Sequence, residues 1–420
     1  MRYHLDKLKK HLWFYLFFIA ILLSGFFYRL YLSAFAVKGL FWDMADYDYF
    51  AREMLSGKLI TDCCHRNVGY SAFLALIYLI FGQSNLAAVR FMNILLELCS
   101  AVLIFFSAKK MFGRKTAFVS LILFVSNPFT AAYTGLILPE SITVFYISLI
   151  VFVLSRDRFI RSRRLWVFFG FLTGLLLFTR SQFYYFSFLL PLVFSLLLYR
   201  ELKRLFFILL FLTGFLISSF YTLLGNYRNF QKISLIPPYN SGIGILYANF
   251  YVGKYPDLDI RSLNPEYARI FEEYEKTPLL ERSNFYDKYK RLYFEKVKNE
   301  WLSYLSIIGS NIFWLWDKDH LFTYADPFHP KDSPYLRIYN LILLGFFAVG
   351  TAFFIRKKGK KNLKTPLVVF TIVLFLYITF FIALLSSESR HTLPFYPFIF
   401  FWGGYGVSAI YHLFYDKLQK

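Results

Sequence analysis

The sequence predicts an all-α polytopic membrane protein, and three observations carry that expectation. Of the 420 residues, 57% are hydrophobic and 22% aromatic, whereas a water-soluble domain is nearer about 45–50% apolar. The apolar residues gather in runs at 12–33, 70–81, 86–107, 116–135, 140–154, 165–179, 183–199, 205–224, 301–316, 335–355, 366–385 and 393–415. Many of these approach the roughly 20 apolar residues that a membrane crossing needs. The Lys and Arg residues behind the net charge of +21 fall in short clusters between the runs. That is how inner loops facing anionic lipid are built, and it argues against nucleic acid as a partner.

The order of the runs then fixes a topology. Lys7, Lys9 and Lys10 keep the N-terminus in the cytoplasm, so run 12–33 delivers residues 34–85 to the outside. Run 70–81 is too short to cross and reads as an interfacial helix. If it crossed, the clusters 109–115, 156–164 and 200–204 would all move outside. Run 301–316, with Trp301, Trp314 and Trp316, suits an interface in the same way. About ten transmembrane helices result, with both termini cytoplasmic. The chain divides into three parts: an N-terminal transmembrane catalytic module over 1–224 with external loop 34–85, an external lid subdomain over 225–334, and C-terminal transmembrane helices over 335–420. Within the lid, 279–300 has the spacing of an amphipathic helix. Cys63, Cys64 and Cys99 are too few for a disulfide framework. Cys63-Cys64-His65 after Asp62 makes a poor tetrahedral set, so no metal is expected. Neither a glycine-rich phosphate loop nor a fixed-period repeat is present.

This topology gathers the unusual polar residues on the external face. Asp43, Asp46 and Asp48 follow the first span, and Arg66 precedes the interfacial helix. Glu140 follows Pro139 in one short loop, and Arg180 lies in another. Arg228 and Asn229 open the lid, while Glu388, Arg390 and His391 separate the last two spans. Each also has a plainer reading. Glu140 fits a helix-start carboxylate favoured by the dipole. Arg180 fits a helix C-terminus or a side chain reaching headgroups. His391 fits interfacial packing, and Asp46 and Asp48 fit loop charges. Taken together, acids and arginines at one membrane surface suit an anionic lipid substrate. Guanidinium groups pair bidentately with phosphate, and a carboxylate accepts the proton of an attacking hydroxyl. Transfer of a sugar from a polyprenyl-phosphate carrier needs those two functions, because phosphate leaves without a general acid.

The ordered motifs resemble the GT-C superfamily, in the branch of protein O-mannosyltransferases and lipid A aminoarabinose transferases. The carriers are Asp43, Tyr47, Ala51, Leu55 and Gly57 at helical spacing, then Asn67-Val68-Gly69-Tyr70-Ser71 leading to Phe81-Gly82. Arg90, Asn93, Leu138-Pro139-Glu140-Ser141, Thr179-Arg180, Arg228-Asn229, Gly242 with Asn249, and Arg390 with Pro394 and Pro397 continue the series. Both prolines expected before the interfacial helix are missing. The resemblance implies a GT-C-like fold and an inverting transferase that moves a single sugar from a polyprenyl monophosphate to a glycan, lipid or protein hydroxyl. It implies Asp43 and Glu140 as catalytic acids, Arg66, Arg180 and Arg390 as donor-phosphate ligands, and no cofactor. Tyr47, Arg228, Asn229 and His391 are expected to contact substrate. The expected place is the cell membrane, with the active site outside. Two alternatives remain: a non-enzymatic flippase or transporter of lipid-linked sugars, and a glycan polymerase or ligase using pyrophosphate-linked donors.

Overall fold

A computed structural model describes residues 2–36, 39–41, 43–59, 67–198, 202–238, 243–244, 246–247, 250, 265–278, 281–322, 333–358, 365–386 and 388–418. Among these the secondary structure is helical, without strands. The helices are α1 (Arg2–Phe35), α2 (Asp43–Leu55), α3 (Gly69–Phe81), α4 (Leu86–Phe112), α5 (Arg114–Val125), α6 (Pro128–Tyr133), α7 (Glu140–Leu154), α8 (Arg163–Thr179), α9 (Tyr184–Leu198) and α10 (Leu202–Phe230). They continue as α11 (Pro265–Lys276), α12 (Arg282–Asn299), α13 (Trp301–Trp316), α14 (Pro334–Lys358), α15 (Pro366–Leu376) and α16 (Tyr396–Leu418). Among the described residues, five stretches are both long and apolar enough to cross a bilayer: Leu12–Phe35, Leu86–Phe112, Leu205–Phe230, Pro334–Lys357 and Pro366–Leu384. The chain is a multi-pass membrane protein.

Lipid tails are as apolar as leucine side chains, so the helices associate by close backbone approach. Gly170 and Gly174 on α8 face Gly214 and Ser218 on α10. A Cβ on Gly170 would sit 2.0 Å from Phe211 O, and one on Gly214 would sit 1.8 Å from Val167 O. Gly350 on α14 meets Trp402 O of α16 in the same way, at 1.9 Å. Between these pairs lies an aromatic core in which Phe169, Phe194, Phe211 and Phe370 are buried.

Run 116–135 does not form one helix, contrary to the single span expected for it. Pro128 lacks an N–H and clashes with the preceding turn, so α5 stops at Val125. Asn127 then caps α6 by accepting from Thr130 N at 2.9 Å. The break leaves the Val125 carbonyl without a backbone donor inside an apolar layer, where it must find one. Arg29 of α1 supplies it, donating to Val125 O at 3.1 Å and Phe124 O at 3.4 Å. Its charge is met by Glu97 of α4 at 3.4 Å, and the two side chains are 0% and 1% exposed.

The basic clusters converge on one end of the bundle. Lys110, in the last turn of α4, pairs with Asp157, after α7, at 2.5 Å. Arg163 lies over the Phe206 ring, and Arg114 lies over Phe14 of α1. Phe112 meets Phe354 near the end of α14. The start of α7, the end of α8 and the start of α16 lie a helix length away, at the other end. Helix α3 both begins and ends at that second end. A Cβ on its first residue, Gly69, would touch Phe178 O of α8 at 2.5 Å, and Ser84 just past its C-terminus donates to Asp48 at 3.0 Å. It therefore does not traverse the bundle.

Helix α12 runs within the stretch 279–300 expected to be amphipathic. Phe285 and Tyr289 are buried with Ile270 and Tyr274 of α11 in a small core of their own.

Candidate active site at the acidic end of the bundle

Asp43 is the first residue of α2, where the helix dipole favours a carboxylate. Its side chain is 13% exposed. Helix α2 buries Met44, Tyr47, Asp48 and Ala51 at helical spacing. Tyr47 stands edge-on to Tyr70 of α3, with centroids 5.0 Å apart. Asp48 accepts from Tyr78 Oη at 2.7 Å and Ser84 Oγ at 3.0 Å, and pairs with Arg52 at 3.0 Å. Asp48 thus ties α2 to α3 and holds Asp43 in place. Tyr47, expected at the substrate, is a buried packing residue one turn further on. Asp46 is half-buried within the first turn of α2.

Arg390 approaches Asp43 from the segment Ser389–Phe395, a 3-10 turn that precedes α16. Its Nη2 donates to Asp43 Oδ2 at 3.0 Å and its Nε to Glu388 Oε2 at 2.6 Å. Glu388 Oε2 lies 3.9 Å from His391 Nε2. His391 Nδ1 is 3.2 Å from Arg180 Nη2 and 2.7 Å from the Gln182 side chain. Nδ1 thus faces a donor in Arg180 Nη2 and an acceptor in Gln182 Oε1, which ask opposite roles of it. Arg180 Nη1 then pairs with Glu140 Oε1 at 3.2 Å. A continuous chain of charges runs from Asp43 through Arg390, Glu388, His391 and Arg180 to Glu140.

Each link has a local reason. Arg180 is the C-cap of α8, in extended conformation, and its N–H closes on Leu176 O at 2.9 Å. It occupies the helix terminus and is buried, so it does not reach outward to headgroups. Glu140 opens α7 behind Pro139 and is 1% exposed. The irregular stretch before it is held from α4: Arg90 donates to Gly135 O at 2.9 Å, and Asn93 to Leu136 O at 3.1 Å. Asn67 donates to Leu177 O and ties the start of α3 to the end of α8. Glu140 Oε1 has only its ion pair with Arg180, Glu140 Oε2 has no hydrogen-bond partner, and Gln182 Nε2 is buried without an acceptor. Buried polar atoms left open in this way mark a place for water or a polar ligand.

Two expected substrate residues stand apart. Arg228 and Asn229 are exposed near the end of α10. Asn229 donates to Leu59 O at 3.2 Å, and Arg228 makes no ion pair among the described residues. Arg66, Gly242, Asn249 and the Asp62-Cys63-Cys64-His65 stretch lie outside the described residues. Among those described, no three His, Cys, Asp or Glu side chains are grouped to hold a metal ion.

Sequence reasoning missed two residues, Gln182 and Lys318. Lys318 follows α13 and is 2% exposed. Its ammonium donates to Ser389 O, beside Arg390, and lies 5.7 Å from the Tyr396 ring centre. Burial lowers it to about 7, against the pull of Asp319, Asp317 and Glu140 in that order. The signal was present as Trp316-Asp317-Lys318-Asp319 directly after an apolar run, the same pattern that marked residues 41–51.

The bundle has a GT-C-like fold, as its likeness to solved structures shows. Residues 66–223 match the family model described as dolichyl-phosphate-mannose-protein mannosyltransferase. The oligosaccharyltransferase of Archaeoglobus fulgidus, solved with a tethered acceptor peptide, superposes with a TM-score of 0.52 at 12% identity, covering 94% of this chain and 49% of that one. The same archaeal protein, AglB, solved with an inhibitory peptide and a dolichol-phosphate, gives 0.51 at 10% identity, over 96% and 51%. ArnT from Cupriavidus metallidurans bound to undecaprenyl phosphate gives 0.42 at 14% identity, over 90% and 77%. The chain spans about half the length of the archaeal protein. No curated protein sequence matches it.

Proposed function

We propose that the protein is an inverting glycosyltransferase that moves one sugar from a polyprenyl-monophosphate carrier to an acceptor hydroxyl at the external face of the membrane. The observation that carries this reading is the direct contact of Arg390 with Asp43 at 3.0 Å. It puts a proton-accepting carboxylate and a phosphate-binding guanidinium within one reacting distance. Asp43 acts as the base. As the acceptor oxygen bonds to the anomeric carbon, its proton passes to the Asp43 carboxylate. The bond from that carbon to the phosphate oxygen breaks, and its electron pair leaves with the lipid phosphate. Arg390 and Arg180 hold the phosphate as its charge grows, where preorganised donors act most strongly. Arg66 is a third phosphate ligand in this reading. Glu140 neutralises Arg180 in the resting state and orients the acceptor.

The match over 66–223 and the bundle fold support a lipid-phosphate-linked donor. Acceptor classes are a glycan, a lipid headgroup or a protein hydroxyl. Residues 225–334 serve as the external lid, which the separate small core of α11 and α12 supports. The test uses purified protein, a radiolabelled polyprenyl-phosphate sugar and a membrane extract. The expected result is free polyprenyl phosphate together with label on an acceptor. Label that crosses a vesicle bilayer with the donor intact would instead make the protein a flippase.

A further inference from the structure

Lys318 has a place in the fold that the chain of charges does not explain. The two acids beside it are turned away and held by α14. Arg337 donates to Asp317 Oδ2 at 3.0 Å and to Asp319 Oδ2 at 3.2 Å, and Asp319 also meets His320. The turn is fixed from behind, because Asn340 donates to Trp316 O at 2.7 Å and accepts from Tyr396 Oη at 2.7 Å. The lysine side chain therefore runs inward from a rigid support. An ammonium carries three donors. Among the described residues, Lys318 spends one on Ser389 O, and no carboxylate lies within ion-pair reach. A buried cation without a counter-ion is costly. Its inward neighbours are Glu140, whose Oε2 has no hydrogen-bond partner, and the backbone beside Arg390.

We propose that Lys318 is a ligand for the phosphate group of the lipid-linked donor and of the polyprenyl phosphate that leaves. This rests on the transferase reading above and adds a third described cation, next to Arg390, from a different element. In the empty site the ammonium rests on the Ser389 carbonyl. When the phosphate arrives, its two remaining N–H groups donate to phosphate oxygens, and the missing counter-ion is supplied by the substrate. Lys318 thereby joins the support behind α13 and α14 to the donor, so that donor binding is read by the lid-side elements as well as by the bundle.

The test is binding of a short-chain polyprenyl phosphate to the full chain in detergent, by calorimetry, with the matching polyprenol and inorganic phosphate as separate probes. The wild-type protein should prefer the phosphate to the alcohol. Lys318→Met should weaken phosphate binding by about tenfold or more, as expected for a lost charge-assisted hydrogen bond, and leave the alcohol unaffected. Lys318→Arg should keep most of the preference. Equal phosphate affinity in wild type and folded Lys318→Met overturns the assignment and leaves the transferase reading standing. No preference for phosphate in the wild type removes both. Inorganic phosphate that binds as tightly as the lipid makes this a free-phosphate site and overturns the lipid assignment.

A readout independent of any variant comes from protons. The facing groups are Asp317 and Asp319 on its own turn, both held by Arg337 of α14, Glu140 on α7, and Tyr396 on α16, beside the Ser389 carbonyl next to Arg390. At about pH 8.5 the buried lysine is largely neutral, while a phosphate monoester is already fully ionised. Pairing then requires the protein to take up a proton, seen as a dependence of binding heat on the ionisation enthalpy of the buffer. At about pH 6 the lysine is already charged and takes up none. Binding at about pH 8.5 without proton uptake overturns the proposal even if Lys318→Met does not fold.

Discussion

Asp43 and Arg390 are one ion pair in the resting site, but their substitutions have different kinetic consequences. Asp43→Asn keeps the size and removes the proton acceptor. Loss of a general base lowers kcat by about 10²–10⁴-fold, with donor KM little changed. Arg390→Ala removes a donor to phosphate, so it should raise KM for the lipid donor as well as lower kcat. Steady-state kinetics on the two purified variants checks the contrast. An Asp43→Asn enzyme with wild-type kcat removes Asp43 from the chemistry. Much of this pairing was legible in the sequence, because an acid after the first span and an arginine before the last one had no better use at a membrane surface. What the sequence did not reveal was how the positions are divided. Asp48 read as a loop charge beside Asp43, yet it is buried and Tyr78, Ser84 and Arg52 occupy its carboxylate. Tyr47, expected to contact substrate, is buried against Tyr70. Lys318 was not singled out, because one residue's side chain direction is not written in its neighbours.

At the scale of an element, the fourth apolar run shows where hydropathy fails. Residues 116–135 have the composition of one span, and the Asn127-Pro128 pair that divides it changes hydropathy little. The pair acts through the backbone: Pro128 cannot donate, and Asn127 caps α6. The broken helix brings the irregular stretch before Glu140 down to α4, where Arg90 and Asn93 hold it. The same break creates the demand that Arg29 meets. Arg29→Met should therefore destabilise the protein by about 3–5 kcal/mol, because it strands the Glu97 charge and leaves the Val125 carbonyl without a donor. Arg29→Met with Glu97→Met should be less damaging than the single change, since no lone charge remains. Thermal or denaturant unfolding in detergent measures both. A double variant as unstable as the sum of the two single variants shows that the pair is not coupled. Short helices such as α3 were legible for the opposite reason. The Lys and Arg clusters on either side leave no room for a thirteen-residue crossing, and both ends of α3 indeed lie at the site.

Over the whole molecule, charge is sorted along the bundle axis. Lys110 and Asp157 meet at one end, joined by Arg163 on Phe206 and Arg114 on Phe14. Asp43, Glu140, Arg180 and Arg390 meet at the other. Helix α7 runs between the two, with Glu140 at its first residue and Asp157 just past its last. A molecule sorted in this way has a strong orientation in a membrane with a negative inner surface. The basic end should face the cytoplasm, which puts the candidate site outside. Single cysteines in a background lacking Cys63, Cys64 and Cys99 test this directly. Ser56 is exposed just after α2 and suits the external probe better than its neighbour Gly57, whose φ of +85° disfavours any side chain. Asp157 is 77% exposed at the basic end. In intact cells, Ser56→Cys should react with a membrane-impermeant maleimide, while Asp157→Cys should react only after permeabilisation. The reverse pattern would put the acids and arginines in the cytoplasm. The charge sorting would then stand, but a donor presented outside would never meet Asp43.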